Sequence, residues 1–272
     1  MVRDTMSQMA EFKRIVATGN FSIALQPIVD LKTRKVHHYE ALARFESLGR
    51  TTSPFSLITF AEETGVIGEF DMAMARRSVA LIVEAEARGE RLNLAINLSG
   101  RSLGSPAFIE ELLAFLKDHD GLRRRIWFEI TESAKIADLA ATNVLIQELR
   151  SAGHAVCLDD FGAGAAAFQY LRALDVDVVK IDGVYVREAL STPTGKPFLK
   201  AMAGLCTDLG IAVVAEMIEN EETAEFMQEC GVRYGQGYLF GKPTPAPDYS
   251  RQGAGEVIHP PTASALKRAR NG

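Results

Sequence analysis

Side chains with the chemistry of metal ligands recur along the chain, each just after a short apolar run. Counting two adjacent aspartates as one position, the intervals are 20 to 57 residues, about one or two strand–helix units each. Five of the side chains are carboxylates, two are amides and one is a lysine. The members are Glu40, Asn97, Glu129, Asp159, Asp160, Lys180, Glu216 and Gln236.

These eight residues, called the acidic set below, would form a site for hard divalent ions if their side chains converged. Five carboxylates in one pocket cannot all stay ionised without a strong positive charge beside them, and Lys180 supplies only one. Carboxylate and amide oxygens, with no histidine or cysteine nearby, suit Mg²⁺, Mn²⁺ or Ca²⁺ rather than zinc. Two such ions sharing Asp159 would suit phosphodiester hydrolysis, because they activate water and stabilise a charged transition state.

Strands that alternate with helices carry these residues. The spacing of Ile109, Leu112, Leu113 and Leu116 is helical. No Gly-x-Gly-x-x-Gly motif follows an early strand, so this α/β pattern favours a (β/α)8 TIM barrel over a doubly wound sheet. In a barrel the carboxyl ends of the strands meet at one mouth. The predicted strands are Ser22–Val29, Val36–Phe45, Leu92–Leu98, Arg125–Thr131, Ala155–Asp160, Val176–Asp182, Ile211–Glu216 and Gly235–Leu239.

Composition narrows the class of protein further. With 47% hydrophobic and 24% charged residues in 272, the chain has the apolar content of a folded domain. Its formal net charge of −5 argues against a nucleic-acid polymer as partner, and no apolar stretch is long enough for a membrane segment. Cys157, Cys206 and Cys230 are widely spaced and form no Cys-x-x-Cys pair, which indicates a reducing, cytoplasmic setting.

Each position in the acidic set also has an ordinary structural explanation. An acidic residue at a strand end is commonly a helix N-cap or a solvated turn residue, and Lys180 with Asp182 could form a surface ion pair. These explanations do not account for matching chemistry at seven strand ends in order. The pattern therefore favours one common acidic site.

The ordered motifs resemble those of the EAL family of cyclic di-GMP phosphodiesterases, from about Phe12 to Pro243. Each segment alone is a weak signal, and their order and spacing together are specific. The segments are Gln26–Ile28, Tyr39–Arg44, Pro54–Gly65, Asn97–Ser99, Glu129–Glu132, Asp159–Gly162, Lys180–Asp182, Ala215–Glu216 and Gly235–Tyr238.

This resemblance implies a modified (β/α)8 barrel whose first strand is antiparallel to the others. The domain would span residues 7–245, followed by a flexible tail over 246–272. The implied reaction is hydrolysis of cyclic di-GMP to the linear dinucleotide pGpG with two Mg²⁺ or Mn²⁺ ions, with Ca²⁺ inhibitory or inert. The resemblance also allows a homodimer and additional domains outside this sequence.

The resemblance implies a role for each member of the acidic set. Asp159 is expected to bind both ions, Asp160 the second ion, and Glu216 to act as a ligand or a base. Lys180 is expected to hold the attacking water and offset phosphate charge, and Gln236 to position water. The expected ligands of the first ion are Glu40, Asn97, Glu129 and Asp159.

Further residues are assigned by the same resemblance. Gln26, Leu42 and Arg44 are expected to contact the substrate, with Arg44 as a phosphate partner. Glu132 and Glu219 are expected to brace the loop after Asp160.

Two departures from the family pattern stand beside these residues. The loop after Asp160 usually continues Gly-Thr/Ala-Gly-Tyr-Ser-Ser, whereas residues 162–167 read Gly-Ala-Gly-Ala-Ala-Ala. Met217 stands where a glycine is usual. Neither change removes a metal ligand, so both bear on dimer coupling and catalytic rate more than on ligand binding.

Two other functions compete with the phosphodiesterase. A catalytically weak or inactive EAL-like receptor would bind cyclic di-GMP without cutting it, but such receptors usually lack a metal carboxylate and all are present here. A barrel glycosidase would use two of the acids, but it explains neither Lys180 nor Asn97.

Overall fold

The computed structural model describes residues 2–45, 54–131, 138–162 and 167–247. Eight strands form a closed barrel, and a ninth, very short strand pairs with the first. The strands are β1 (Ser22–Asp30), β2 (Val36–Arg44), β3 (Leu94–Leu98), β4 (Ile126–Thr131), β5 (Ala155–Phe161), β6 (Val178–Ile181), β7 (Ala212–Ala215), β8 (Tyr234–Gln236) and β9 (Thr244–Pro245).

Helices alternate with these strands and pack outside the barrel. Several begin at a side chain that accepts a backbone hydrogen bond, such as Ser105, Asp138 and Asn220. The helices are α1 (Val2–Thr18), α2 (Pro54–Thr64), α3 (Ile67–Ala87), α4 (Gly100–Leu103), α5 (Pro106–Lys117), α6 (Leu139–Ser151), α7 (Ala167–Ala173), α8 (Gly183–Ser191), α9 (Gly195–Asp208) and α10 (Glu221–Glu229).

The direction of β1 distinguishes this barrel from a regular (β/α)8 barrel. Strands β2 to β8 pair in parallel with their neighbours in chain order. Strand β1 closes the barrel by pairing antiparallel with both β2 and β8. The predicted modified barrel is therefore confirmed. Beyond β9, the Ala246 amide donates to the Ile23 carbonyl at 2.8 Å, so the chain remains attached to β1 at that point.

Two layers of side chains fill the barrel, one apolar and one polar. Side chains two residues apart on a strand point to the same face, so the chain from β4 to β8 contributes one residue per strand to each layer. The apolar layer contains Ile28, Trp127, Cys157, Val178, Val214 and Tyr234. The residues two positions further along the parallel strands are Glu129, Asp159, Lys180, Glu216 and Gln236. The alternation of side chains thus places the polar layer at the carboxyl ends of the strands, next to the apolar layer.

A second, larger apolar core lies between the barrel and the helices. The helix predicted from the spacing of Ile109, Leu112, Leu113 and Leu116 is confirmed as α5. Three of these residues are buried in this core, and Leu113 is partly buried against it. No helix in the described ranges has the length and apolar character needed to cross a bilayer.

The last barrel strand is shorter than the predicted Gly235–Leu239. Strand β8 ends at Gln236, and the chain then turns so that the Leu239 amide donates to the Ile218 carbonyl at 3.0 Å. This turn needs Gly237, because a Cβ there would overlap the backbone of Ile218. The apolar residues after Gln236 pack around the turn instead of extending the strand.

We expect Gly237→Ala to lower the free energy of unfolding by about 1–3 kcal/mol, since rigid backbone faces the new methyl group. Gly204→Ala in α9 is the matched control, because nothing lies within 4 Å of a Cβ there. That control should gain about 0.5–1 kcal/mol from helix propensity. Urea unfolding of both variants makes the measurement, and equal stability of the two would contradict this assignment.

Candidate active site

A buried lysine lies at the centre of the polar layer. The Lys180 side chain is 1% exposed, and its Nζ contacts four carboxylates. The nearest oxygens are those of Glu216 at 2.9 Å, Asp159 at 3.1 Å, Glu129 at 3.2 Å and Glu40 at 3.5 Å. The surface ion pair with Asp182 is not formed, because the Asp182 carboxylate caps α8 by accepting from Val184 N.

An irregularity in β5 brings two consecutive aspartates to this cluster. In a regular strand, adjacent side chains point to opposite faces. The register between β5 and β6 shifts between Leu158 and Phe161, and Asp160 adopts a left-handed φ of 55°. The Asp160 amide donates to Asp159 Oδ1 at 2.9 Å, which supports the bend. Both carboxylates therefore face the barrel mouth.

The carboxylates form two overlapping groups of suitable size for metal ions. Oxygens of Glu40, Glu129 and Asp159 lie within 4.8 Å of one another. A second group, within the same limit, consists of Asp159, Asp160 and Glu216. Because Asp159 belongs to both groups, the arrangement matches two neighbouring sites that share one carboxylate.

Two amides orient Glu40. Asn97 Nδ2 donates to Glu40 Oε1 at 2.9 Å, and Gln236 Nε2 donates to Glu40 Oε2 at 2.6 Å. Gln236 Nε2 also contacts Gln26 Oε1 at 3.1 Å. Gln236 Oε1 is buried and, within the described chain, has no hydrogen-bond partner. This oxygen can therefore accept a hydrogen bond from a water molecule or ligand in the mouth.

Burial and mutual repulsion raise the pKa of most of these carboxyl groups. Burial raises the pKa of Glu216 to about 7, and burial with the neighbouring Asp159 charge raises that of Asp160 to about 6. The pKa of Glu129 is raised well above its usual value and that of Asp159 is raised, in both cases mainly by burial. The cluster carries more acid groups than Lys180 alone can hold ionised.

Lys180 and Glu40 are the strongly ionised members of the cluster. Burial alone would lower the pKa of Lys180, but the four surrounding carboxylates raise it well above its usual value. Burial also opposes ionisation of Glu40, but the Lys180 charge and the Gln236 and Asn97 hydrogen bonds together lower its pKa.

A cavity of about 260 Å³ adjoins the cluster. Gln26 and Leu42 line it, as does Glu219. Arg44 is not among the described lining residues, and its Nη1 donates to the Ala43 carbonyl at 2.9 Å. Glu132 and residues 163–166 of the loop after Asp160 lie outside the described residues.

Met217 and Tyr238 also line this cavity and are absent from the predicted site. Met217 has a left-handed φ of 54°, packs against Gly183 and accepts a hydrogen bond from Arg187 Nη1 at 3.2 Å. In the sequence, the feature that pointed to this position was a methionine where the family usually has a glycine. Tyr238 is 57% exposed, and its signal was its place directly after Gly235–Gly237.

A buried carboxylate on α3 anchors the turn that follows Asn97. Asp71 Oδ2 accepts from the Ser99 amide at 3.0 Å and from Ser102 Oγ at 2.6 Å. Ser99 Oγ donates in turn to Glu62 Oε1 at 2.8 Å. The end of β3 is thereby fixed where Asn97 reaches Glu40, and sequence patterning offered no signal for Asp71 because it lies within an otherwise helical segment.

The residues present fit hard divalent ions. All the grouped donors are carboxylate oxygens, which Mg²⁺, Mn²⁺ and Ca²⁺ prefer. When ionised, the five carboxylates and Lys180 carry a net charge of −4, which two divalent ions would neutralise. Fold and site together define a (β/α)8-barrel protein with an acidic cluster suited to metal ions at its mouth.

Comparison with known proteins places this barrel in a family. The family model described as the EAL domain matches residues 9–243, and the chain belongs to that family. Among the curated relatives, the cyclic di-GMP phosphodiesterase PdeB of Shewanella oneidensis is 34% identical over 229 residues. The cyclic di-GMP phosphodiesterase PdeF of Escherichia coli is 29% identical over 248 residues.

These relatives are longer proteins. The matches cover 84% and 91% of this chain but only 27% and 33% of PdeB and PdeF. The chain therefore spans about a quarter to a third of the length of these two relatives.

Solved structures share the fold. The EAL enzyme Bd1971, in a form bound to cAMP and cyclic di-GMP, is 28% identical with a TM-score of 0.80, covering 92% of this chain and 68% of that one. An EAL domain protein from Listeria monocytogenes is 27% identical with a TM-score of 0.75, covering 85% of this chain and 92% of that one.

The stability cost of the buried Asp71 carboxylate should depend on pH. Burial raises the pKa of Asp71 from an ordinary 3.8 to about 7. Between these values the folded state binds more protons than the unfolded state, so the Asp71 contribution to the free energy of unfolding falls as pH rises. Asp71→Asn removes this titration. Relative to wild type, the variant should therefore gain stability as pH rises, by at most about 1.4 kcal/mol per pH unit.

Urea unfolding of wild type and Asp71→Asn at about pH 5.5 and about pH 7.5 makes the comparison. His37, His38 and His154, whose pKa values burial lowers, are common to both proteins and cancel in the difference. A stability difference that is the same at both pH values would contradict the prediction.

Proposed function

We propose that this domain hydrolyses cyclic di-GMP to the linear dinucleotide pGpG, using two Mg²⁺ or Mn²⁺ ions. The observation that carries the proposal is the buried Lys180 ammonium among four carboxylates at the barrel mouth. Membership of the EAL family and its phosphodiesterase relatives support the choice of substrate. The three cysteines are free and buried, which supports a cytoplasmic setting.

The acidic cluster would hold the metal ions. We assign Glu40, Asn97, Glu129 and Asp159 to the first ion. Asp159 and Asp160 are assigned to the second, with Glu216 beside them. When bound, the ions supply Lewis-acid activation of a water molecule and positive charge beside the scissile phosphate.

Three side chains would act on the reacting groups. The Lys180 ammonium keeps its proton, because its pKa is raised, and it offsets negative charge on the phosphate. Glu216, grouped with Asp159 and Asp160, is assigned as a metal ligand or as the base that accepts a proton from the water. Gln236 Oε1 can accept a hydrogen bond from the attacking water and so orient it.

The cavity beside the cluster would receive the substrate. Gln26 and Leu42 line this cavity and are assigned to substrate binding. Arg44 lies at the end of β2 beyond Leu42, and we assign its guanidinium to a phosphate, which requires release of the contact with the Ala43 carbonyl. Glu219 and Glu132 are assigned to bracing the loop after Asp160.

Incubation of the protein with cyclic di-GMP and Mg²⁺ or Mn²⁺, followed by chromatography of the products, tests the proposal. We expect linear pGpG only when one of these ions is present. If the protein binds cyclic di-GMP but does not cut it at any concentration of either ion, the protein is a receptor and the proposed hydrolysis is wrong.

We expect Lys180→Met to reduce turnover on the order of 10²–10³-fold, because one charged transition-state contact is lost. Affinity for cyclic di-GMP, measured with Ca²⁺ in place of Mg²⁺, should fall much less. Lys196→Ala is the matched control, because this lysine is exposed and pairs with Glu229 on the outer surface. Thermal melting in Mn²⁺ verifies that each variant is folded. Wild-type turnover in Lys180→Met would remove Lys180 from the mechanism.

A further inference from the structure

A second and larger cavity lies at the opposite end of the barrel from the acidic cluster. Its volume is about 730 Å³, within the range of about 300–1,000 Å³ usual for small-molecule sites. It lies between α6 and the amino-terminal ends of the barrel strands. Among its lining residues are His37, Arg124, Trp127, Arg150, His154 and Tyr234.

One wall of this cavity is a packed layer of aromatic rings. His38 stacks on Trp127 with ring centroids 4.3 Å apart, which fixes the indole in place. His37 packs against both Trp127 and Tyr234, at 5.1 Å and 4.7 Å. The cavity side of this layer offers His37 and Trp127 to a planar ligand.

The charge that faces this cavity is positive. Arg150 binds Asp177 through Nε and Nη2 at 3.0–3.2 Å, and Asp177 also accepts from the Val156 amide. Asp177, the acidic residue in the lining, is therefore already paired. Arg124 is exposed, and its guanidinium has no ion pair or hydrogen bond within the described residues. The Arg124 guanidinium is therefore available to bind an anionic group.

The backbone at Arg124 is held in an unfavourable conformation. Its φ is 64°, in the left-handed region that glycine adopts without strain and other residues adopt at a cost on the order of 1 kcal/mol. The Arg124 amide donates to the Gly153 carbonyl at 3.0 Å, and its carbonyl accepts from Trp127 Nε1 at 3.4 Å. An arginine thus occupies a position where glycine would be more stable, which points to a use for its side chain.

We propose that this cavity binds a phosphorylated planar aromatic molecule of about mononucleotide size. The guanidinium of Arg124 would bind the phosphate through its forked N–H groups. The aromatic ring would pack against His37 and Trp127. This site is independent of the acidic cluster and of the reaction proposed for it.

Trp127 is the only tryptophan in the chain and lines the cavity, so its fluorescence reports occupancy directly. The probe is guanosine 5′-monophosphate, added to metal-free protein. We expect a saturable change in Trp127 emission. Guanosine and inorganic phosphate added alone should bind at least about ten-fold more weakly, because each lacks half of the recognised chemistry.

Arg124→Gly is the decisive variant. It should bind the probe about ten- to a hundred-fold more weakly, the range for loss of a charge-assisted hydrogen bond, while its melting temperature equals or exceeds that of wild type. Arg76→Ala is the control, because Arg76 pairs with Glu111 on the outer surface and should leave binding unchanged. Equilibrium dialysis with labelled probe provides a second readout.

Three results would overturn the proposal. The first is no saturable binding in either assay. The second is equal affinity of wild type and Arg124→Gly for the probe. The third is a large fall in the melting temperature of Arg124→Gly, which would assign Arg124 a purely structural role.

Discussion

The organisation of this barrel depends on one buried ammonium group. Lys180 is 1% exposed and contacts carboxylates from β2, β4 and β5 and from the end of β7, so it ties β6 to four of the other seven barrel strands. A lysine this deeply buried is tolerated only with such partners. The carboxylates around Lys180 carry more negative charge than its single ammonium group can balance. Several carboxyl pKa values are therefore raised, and the mouth favours further positive charge. The chemistry proposed for the mouth follows from this imbalance.

The position of the polar set could be predicted because strands impose a period of two and barrels impose one mouth. Glu129 follows Trp127 and Lys180 follows Val178 at that spacing, so both strand ends carry a functional side chain above an apolar one. What the pattern could not predict depends on tertiary geometry. The bend that turns Asp160 towards Asp159 arises from a register shift against β6, and the support of Asn97 comes from Asp71 on a distant helix.

Backbone strain in this chain is concentrated at its two cavities. Of the four non-glycine residues with left-handed φ in the described ranges, Asp160 and Met217 lie at the mouth and Arg124 lines the opposite cavity. Such conformations persist only where surrounding structure enforces them, and they commonly mark functional positions. Between the two ends, the apolar layer around Cys157 and Val178 fills the barrel. The fold thus separates an acidic end, suited to cations, from an end whose free charge is basic.

In the metal-free protein, protons on carboxyl groups with raised pKa values offset the excess negative charge at the mouth, and divalent ions that bind there would displace these protons. Calorimetric titration of metal-free protein with Mn²⁺ at about pH 6.5, in two buffers of different ionisation enthalpy, measures the protons released on binding. This charge balance predicts binding with net proton release, because Glu129 and Glu216 have raised pKa values, and less release at about pH 8. Absence of Mn²⁺ binding, or binding without proton release at either pH, would contradict it.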